Sequence, residues 1–274
     1  MRVVTTGVRM DWAAAEWADG QLRVWQGDRT VTAPCRDDPV AVLCELLLPL
    51  LVRGQVVSVI ASGWPGVEPQ RVPCPPPTPG PSVTVDPQIR LHPLPGLVQD
   101  RPADLIDNAV PRILGHLANN PDFDGVLCLP GRPSAWVQIS AGEVVSFRSF
   151  LTVEILSALC DPADGPDSAG FAEAVAQAMS RPAALAAELA SVRAERALAR
   201  IGPAEAQVRM AGLLIGAELA AARPWWLGQN VTVIGTGWLA DCYAGALTAQ
   251  GVTAGRADPA QAWRDGMRSA HRAL

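Results

Sequence analysis

Short apolar runs, each stopped by glycine, proline or asparagine, alternate with longer stretches in which apolar residues return every three or four positions. That alternation predicts strands followed by helices, an α/β chain. Val3 to Met10 reads as a first strand that delivers Asp11 at its end, and Gln21 to Gln26, closed by Gly27-Asp28, as a second. Val40 to Leu51 has the spacing of a helix, and Val56 to Ala61 the β-branched run of a buried strand. Proline crowds residues 63–95, above all 73–81, which excludes helix there and leaves Val83–Val85 and Ile89–Leu91 as edge-strand candidates. Helical spacing resumes from Leu105 to Ala118, with Ile106, Val110, Ile113, Leu114 and Leu117 on one face, and Asn119-Asn120-Pro121-Asp122 ends it.

The second half repeats the plan. Val126 to Leu129 stops at Pro130-Gly131, and the runs Ala135–Ile139 and Val144–Phe150 flank Ser140-Ala141-Gly142-Glu143 as a hairpin. Thr152 to Cys160 predicts a short helix, 161–168 a loop, and Phe171–Met179 and Pro182–Arg200 alanine-rich helices. Pro203 to Arg223 is the clearest helix, with proline in its first turn and a stripe at Val208, Ala211, Ile215 and Leu219. Val231 to Ile234 is a strand, Gly235-Thr236-Gly237 its turn, and Leu239 to Ala249 a helix closed by Gly251. Asp258-Pro259 starts a last helix through Ala273. The pattern divides into two domains, 1–121 and 122–274.

With 274 residues the chain can bury two cores. A formal charge of -5 gives no reason to expect nucleic acid or an anionic membrane as partner. No lysine occurs, so any phosphate or carboxylate recognised by a cation meets arginine, whose planar fork binds differently. Six cysteines lack C-x-x-C spacing and read as buried thiols, and the three histidines lack ligand spacing. Residues 40–52, the most apolar stretch, are too few to span a bilayer and include Glu45 and Pro49, and the N-terminus has no signal-peptide core. The expectation is a soluble, cytoplasmic protein. The nine tryptophans read as packing, and the alanine-rich helices leave room for a homodimer.

Several segments, taken in order, resemble the 2-dehydro-3-deoxygalactonokinases. LPGRPSAWVQ (129–138) and FRSFLTVE (147–154) are similar to that family's Pro-Gly-Thr-His-(Ser/Cys)-Lys-Trp-Val and Phe-Arg-Thr-x-Met-Thr-Gly-Glu segments. Leu94-Pro95-Gly96-Leu97 resembles its IPGL, Ser191-Val192-Arg193-Ala194 its VRA, AGLLIGAE (211–218) its SGLLIGAE, and residues 233–237 its adenosine-side V-x-G-T turn. At the N-terminus Asp11-Trp12 and Leu22-Arg23-Val24-Trp25 look like an interrupted DWGTTNLRAW. The resemblance implies a two-domain actin-like (ribonuclease H-like) sugar kinase fold and phosphoryl transfer from ATP with Mg²⁺ to a 2-keto-3-deoxy sugar acid. It further implies a metal-holding and catalytic Asp11, substrate contacts from Arg23, Arg148 and Glu154, and nucleotide contacts from Gly131, Arg132, Ser134, Gly235, Thr236 and Gly237.

The departures fall on the phosphate loops. Gly-Thr-Thr becomes Ala13-Ala14-Ala15 followed by Glu16 to Gly20, and the second loop's threonine, histidine and lysine become Arg132, Pro133 and Ala135. The family's Arg-Gly-Glu-Glu-Thr-Gln segment, home of its base, has only Arg101-Pro102-Ala103-Asp104 in place, which leaves Asp104 as the alignable acid with Asp107 beyond it. Two readings follow: a sugar-acid kinase with weak or lost activity, or a catalytically degenerate relative that binds a sugar acid or regulates.

Overall fold

The computed structural model describes residues 11–27, 29–160 and 170–274. Clustering of neighbours separates residues 1–121 together with 260–274 from residues 122–259.

The first unit is built on a six-stranded sheet. Strands β1 (Trp12–Ala18), β2 (Gln21–Gln26) and β3 (Arg29–Pro34) form an antiparallel meander. Helix α1 (Pro39–Leu47), capped by the Asp38 carboxylate on the Ala41 N–H, continues into a 3₁₀ turn and leads to β4 (Val57–Ser62), which pairs parallel with β1. The proline-rich stretch contributes β5 (Gln70–Arg71), β6 (Val83–Asp86) and β7 (Ile89–Pro93). The sheet order is β3-β2-β1-β4-β7-β6, so Ile89–Leu91 belongs to an interior strand parallel to β4, and of the two edge-strand candidates β6 alone lies on an edge. Its parallel partner buries Ile89 and Leu91, whereas proline density had suggested an edge. Next come β8 (Leu97–Asp100), β9 (Ala103–Ile106) and α2 (Val110–Asn119). The helix expected from Leu105 therefore starts five residues later, because Leu105 and Ile106 close a hairpin on β8. On one face Leu43 and Leu47 of α1 pack on Ala13, Ala15, Leu22, Val24, Val57 and Val59.

The second unit repeats the wiring. Strands β10 (Gly125–Leu129), β11 (Ser134–Ser140) and β12 (Glu143–Phe150) form the meander, and the sheet order is β12-β11-β10-β13-β14, with β13 (Val231–Ile234) and β14 (Gly255–Ala257) parallel to β10. Helices α3 (Thr152–Leu159), α4 (Phe171–Ser180), α5 (Leu185–Ala197), α6 (Pro203–Ala221), α7 (Arg223–Trp226) and α8 (Gly237–Ala249) complete it. The expected loop 161–168 lies outside the described residues. Helix α6 is buried on nearly every side, and Val208, Ala211, Ile215 and Leu219 all sit in the core. Gly212 and Gly216 let α4 approach: a methyl group on Gly216 would come 2.5 Å from the Val175 carbonyl oxygen.

The last helix, α9 (Pro259–Arg272), packs with the first unit, where the linear reading had placed it with the second half. Gly115 of α2 and Gly266 of α9 meet backbone to backbone, each leaving no space for a β-carbon beside the other helix's carbonyl. Trp263 of α9 lies 3.9 Å, centroid to centroid, from Trp25, and His271 stacks on Trp12 at 4.7 Å. A meander of three strands extended by parallel strands, occurring twice, is the actin-like plan.

Candidate functional site

The strand ends of the first unit gather the ionisable groups. The run read as a phosphate loop, Ala13-Ala14-Ala15, is the middle of β1, where alanine is buried on both faces beside β2 and β4. The carboxylate delivered near the end of this strand is Glu16, at 2% exposure. Its Oε2 lies 3.3 Å from Nη1 of Arg23, its cross-strand neighbour, and its Oε1 lies 3.4 Å from Nη2 of Arg112 on α2. Nη1 of Arg112 donates to the Asn108 carbonyl oxygen at 2.7 Å. Ser62, the register partner of Glu16 on β4, is 1% exposed, and its hydroxyl has no partner. Gly63 follows with φ +68°, and a β-carbon there would lie 2.2 Å from Oδ1 of Asn108, itself buried without a partner. One glycine thus brings Asn108 against the end of β4. Ligands of parallel sheets collect outside such carboxyl ends.

The expected residues distribute unevenly around this cluster. Arg23 is part of it. Asp11 is exposed and precedes β1, about 16 Å of extended chain before Glu16; its own expected strand, 3–10, lies outside the described residues. Asp104 sits in β9 opposite Gln99, accepting the Leu105 N–H at 2.9 Å, and not at a helix start. Asp107 enters the loop before α2, next to Asn108, and partial burial pushes its carboxyl above the ordinary value. Gly96 of the Leu-Pro-Gly-Leu segment makes space for it, since a β-carbon there would lie 2.0 Å from Asp107 Oδ1.

In the second unit the turn after β10 is uncharged apart from Arg132, which is exposed and donates to the Ser157 hydroxyl. Gly131 remains partly open, but Ser134 is fully buried, its hydroxyl donating to Glu218 at 2.9 Å, and so faces the core and not an anion. Glu218 also accepts from Trp136 Nε1 at 2.8 Å and the Tyr243 hydroxyl at 2.7 Å, and Thr152 bonds to it as well. Burial pushes its carboxyl up against the opposite pull of these bonds. Gly235 packs on Ala240 and Pro130 while Thr236 and Gly237 are exposed. Thr236 makes no side-chain cap, so the first N–H groups of α8 are open to an anion. Arg148 pairs in register with Trp136, and Glu154 lies in the first turn of α3 with Oε2 buried and unpartnered.

These placements decide what each group could hold. At the start of α8 beside the Gly131 turn, what faces a ligand is backbone N–H groups without a side-chain cap. A metal fits poorly: both oxygens of Glu16 already face guanidinium groups, Asp11 is remote along the strand, and among the described residues no three His, Cys, Asp or Glu side chains form a metal-holding group. Sequence reasoning missed Glu16, Ser62, Asn108 and Arg112. A signal for the first was present, because Glu16-Trp17 through Leu22-Arg23-Val24-Trp25 aligns with DWGTTNLRAW without any gap.

Known proteins agree with this architecture. The 2-keto-3-deoxy-galactonokinase family matches residues 37–270. A Rhizobium meliloti protein named "Probable 2-dehydro-3-deoxygalactonokinase DgoK1" is 33% identical over 204 residues, 69% of this chain and 66% of that one, so the matched stretch spans about two thirds of the relative. The 2-dehydro-3-deoxygalactonokinase of Escherichia coli K12 is 27% identical over 93% of this chain and 96% of its own. The crystal structure of a Sinorhizobium meliloti protein named for the same kinase superposes with a TM-score of 0.82 at 25% identity, covering 96% of both chains. With the family match covering most of its length and the duplicated sheet wiring shared, this chain belongs to the 2-keto-3-deoxy-galactonokinase family.

Proposed function

We propose that this chain binds a 2-keto-3-deoxy sugar acid at the strand ends of its first unit and phosphorylates it from ATP only weakly. The observation that carries this reading is the double pairing of Glu16: the carboxylate at the family's Asp-Trp position is neutralised by Arg23 and Arg112. ATP supplies the phosphoryl group when bound. The chain's own residues then divide the remaining work. The open first turn of α8 and Gly131 receive phosphate through backbone donors, Asp107 with its raised carboxyl is the acid best suited to take a hydroxyl proton, and the Glu16 cluster holds the acceptor. Two losses weaken transfer. The hydroxyl and lysine donors of the second phosphate loop are absent, and each such donor is worth roughly 10²–10³ in rate.

None of the six cysteines forms a disulfide, as suits a reducing compartment, and among the described residues no helix is long and apolar enough to cross a membrane. A coupled assay with MgATP and 2-dehydro-3-deoxygalactonate tests the proposal. Turnover about a hundredfold or more below 1 s⁻¹, with a thermal shift produced by the sugar acid, is expected. The same double pairing favours a second reading, a binding or regulatory protein without transfer; it requires a thermal shift with sugar acid and none with MgATP.

A further inference from the structure

We infer that Arg112 and Arg23 form a metal-independent receptor for the carboxylate of the acceptor, with Glu16 serving to hold the two guanidinium groups and not a cation. This rests on the sugar-acid reading and assigns the groups that recognise the acid.

Charge count is the first argument. Two guanidinium groups converge on one carboxylate, leaving one positive charge in excess among these three side chains. Geometry is the second. A guanidinium carries five N–H donors; Glu16 occupies one nitrogen of each arginine at 3.3 and 3.4 Å, and the Asn108 carbonyl oxygen one more of Arg112. The Arg23 and Arg112 side chains stay 40% and 27% exposed over a carboxylate at 3%, so donors remain for a second anion on the outer side. A planar fork of that kind suits a carboxylate held by two parallel N–H···O bonds.

The orphaned polar atoms beside the arginines supply an independent pointer to a ligand. The Ser62 hydroxyl, 99% buried by its 1% exposure, and Oδ1 of Asn108 both lack partners, although buried polar groups are nearly always satisfied. One can donate and the other accepts, so together they match the oxygen next to a carboxylate and a hydroxyl beyond it. A 2-oxo or 2-hydroxy polyol acid offers those groups in that order; a neutral sugar lacks the charge. The positive φ of Gly63, where any β-carbon would collide with Asn108 and the Trp17 carbonyl oxygen, keeps this arrangement in place. No part of the receptor needs a metal.

Titration calorimetry of the full chain with 2-dehydro-3-deoxygalactonate, in EDTA and in Mg²⁺, tests the assignment, with galactose as the neutral control. Affinity in EDTA within about twofold of that in Mg²⁺ is expected, with galactose silent. Arg112→Gln should weaken binding about 10- to 100-fold, as charge-assisted bonds of about 1.5–3 kcal/mol imply. Arg112→Lys, which keeps the charge and loses the fork, should fall between and provides the readout if the glutamine variant fails to fold. Binding abolished by EDTA, or unchanged in both arginine variants, overturns the receptor while leaving the sugar-acid reading intact. Wild-type protein that binds no sugar acid overturns both.

Discussion

The two sheets share one wiring and differ in what they carry at the end of the central strand. In the first unit β1 ends in a cluster of charge: a carboxylate, two guanidinium groups and two unsatisfied polar atoms. In the second, β10 ends in Pro130-Gly131, and its buried acid, Glu218, is turned inward and saturated by Ser134, Trp136 and Tyr243. A strand end with excess charge and unmet hydrogen bonds is built for a ligand, whereas one whose acid is fully satisfied is built to stay put. The contrast is in line with the proposed acceptor site in the first unit, while the second has backbone N–H groups and the exposed Arg132 at its strand end.

Substitutions can sharpen this contrast. Glu218→Ala should have the largest effect, because it strips four buried side chains, Ser134, Trp136, Tyr243 and Thr152, of a common acceptor at the cost of about 3–5 kcal/mol, seen as faster hydrogen exchange in residues 122–259. If Glu218→Ala melts like the wild type, the inward knot is not structural. Gly266→Val should cost about 1–3 kcal/mol by forcing α9 off α2, and exchange should quicken in both helices while the second unit is spared. Glu16→Gln should cost only about 1 kcal/mol, since its arginines keep contact with water. A loss as large as that at Glu218 would mean the first cluster is structural too.

Mild acid should act on the two units with opposite sign. Burial holds His92, His116 and His271 below the ordinary 6.5, all in the first unit, so the unfolded chain binds more protons and stability falls as pH drops through 6.5. Asp107 opposes them only in the window above its ordinary 3.8. Glu218 is raised above 4.5, so the folded second unit binds the extra proton and gains stability as pH falls toward that value. Exchange rates followed unit by unit from pH 7 to 5 should diverge, and Glu218→Gln should remove the second unit's slope; parallel slopes would contradict the assignment.

Much of the second unit was legible in the sequence because its signals are local. Alternating residues around Ser140-Ala141-Gly142-Glu143 specify the hairpin, and the stripe on Pro203–Ala221 specifies α6. The first unit concealed more. Trp-Ala-Ala-Ala-Glu-Trp-Ala has neither alternation nor β-branching, and it becomes a strand because neighbours on both sides and both faces demand small residues, a tertiary requirement. With no strand signal over Trp12–Ala18, nothing marks Glu16 as a strand-end acid. Arg112 and Glu16 are 96 positions apart and Ser62 stands between them in sequence, so nothing local announces their meeting. Arg23 is marked by the resemblance alone, and Asp107 stands out in the sequence only as a neighbour of Asp104.

Turnover with MgATP and 2-dehydro-3-deoxygalactonate measures the central point most directly, that the carboxylate ending β1 serves arginines and not phosphoryl transfer. The account predicts less than about 0.01 s⁻¹, two decades under an ordinary kinase, with sugar-acid binding retained. Turnover of about 1 s⁻¹ or faster, lost in Glu16→Gln while binding persists, would contradict it.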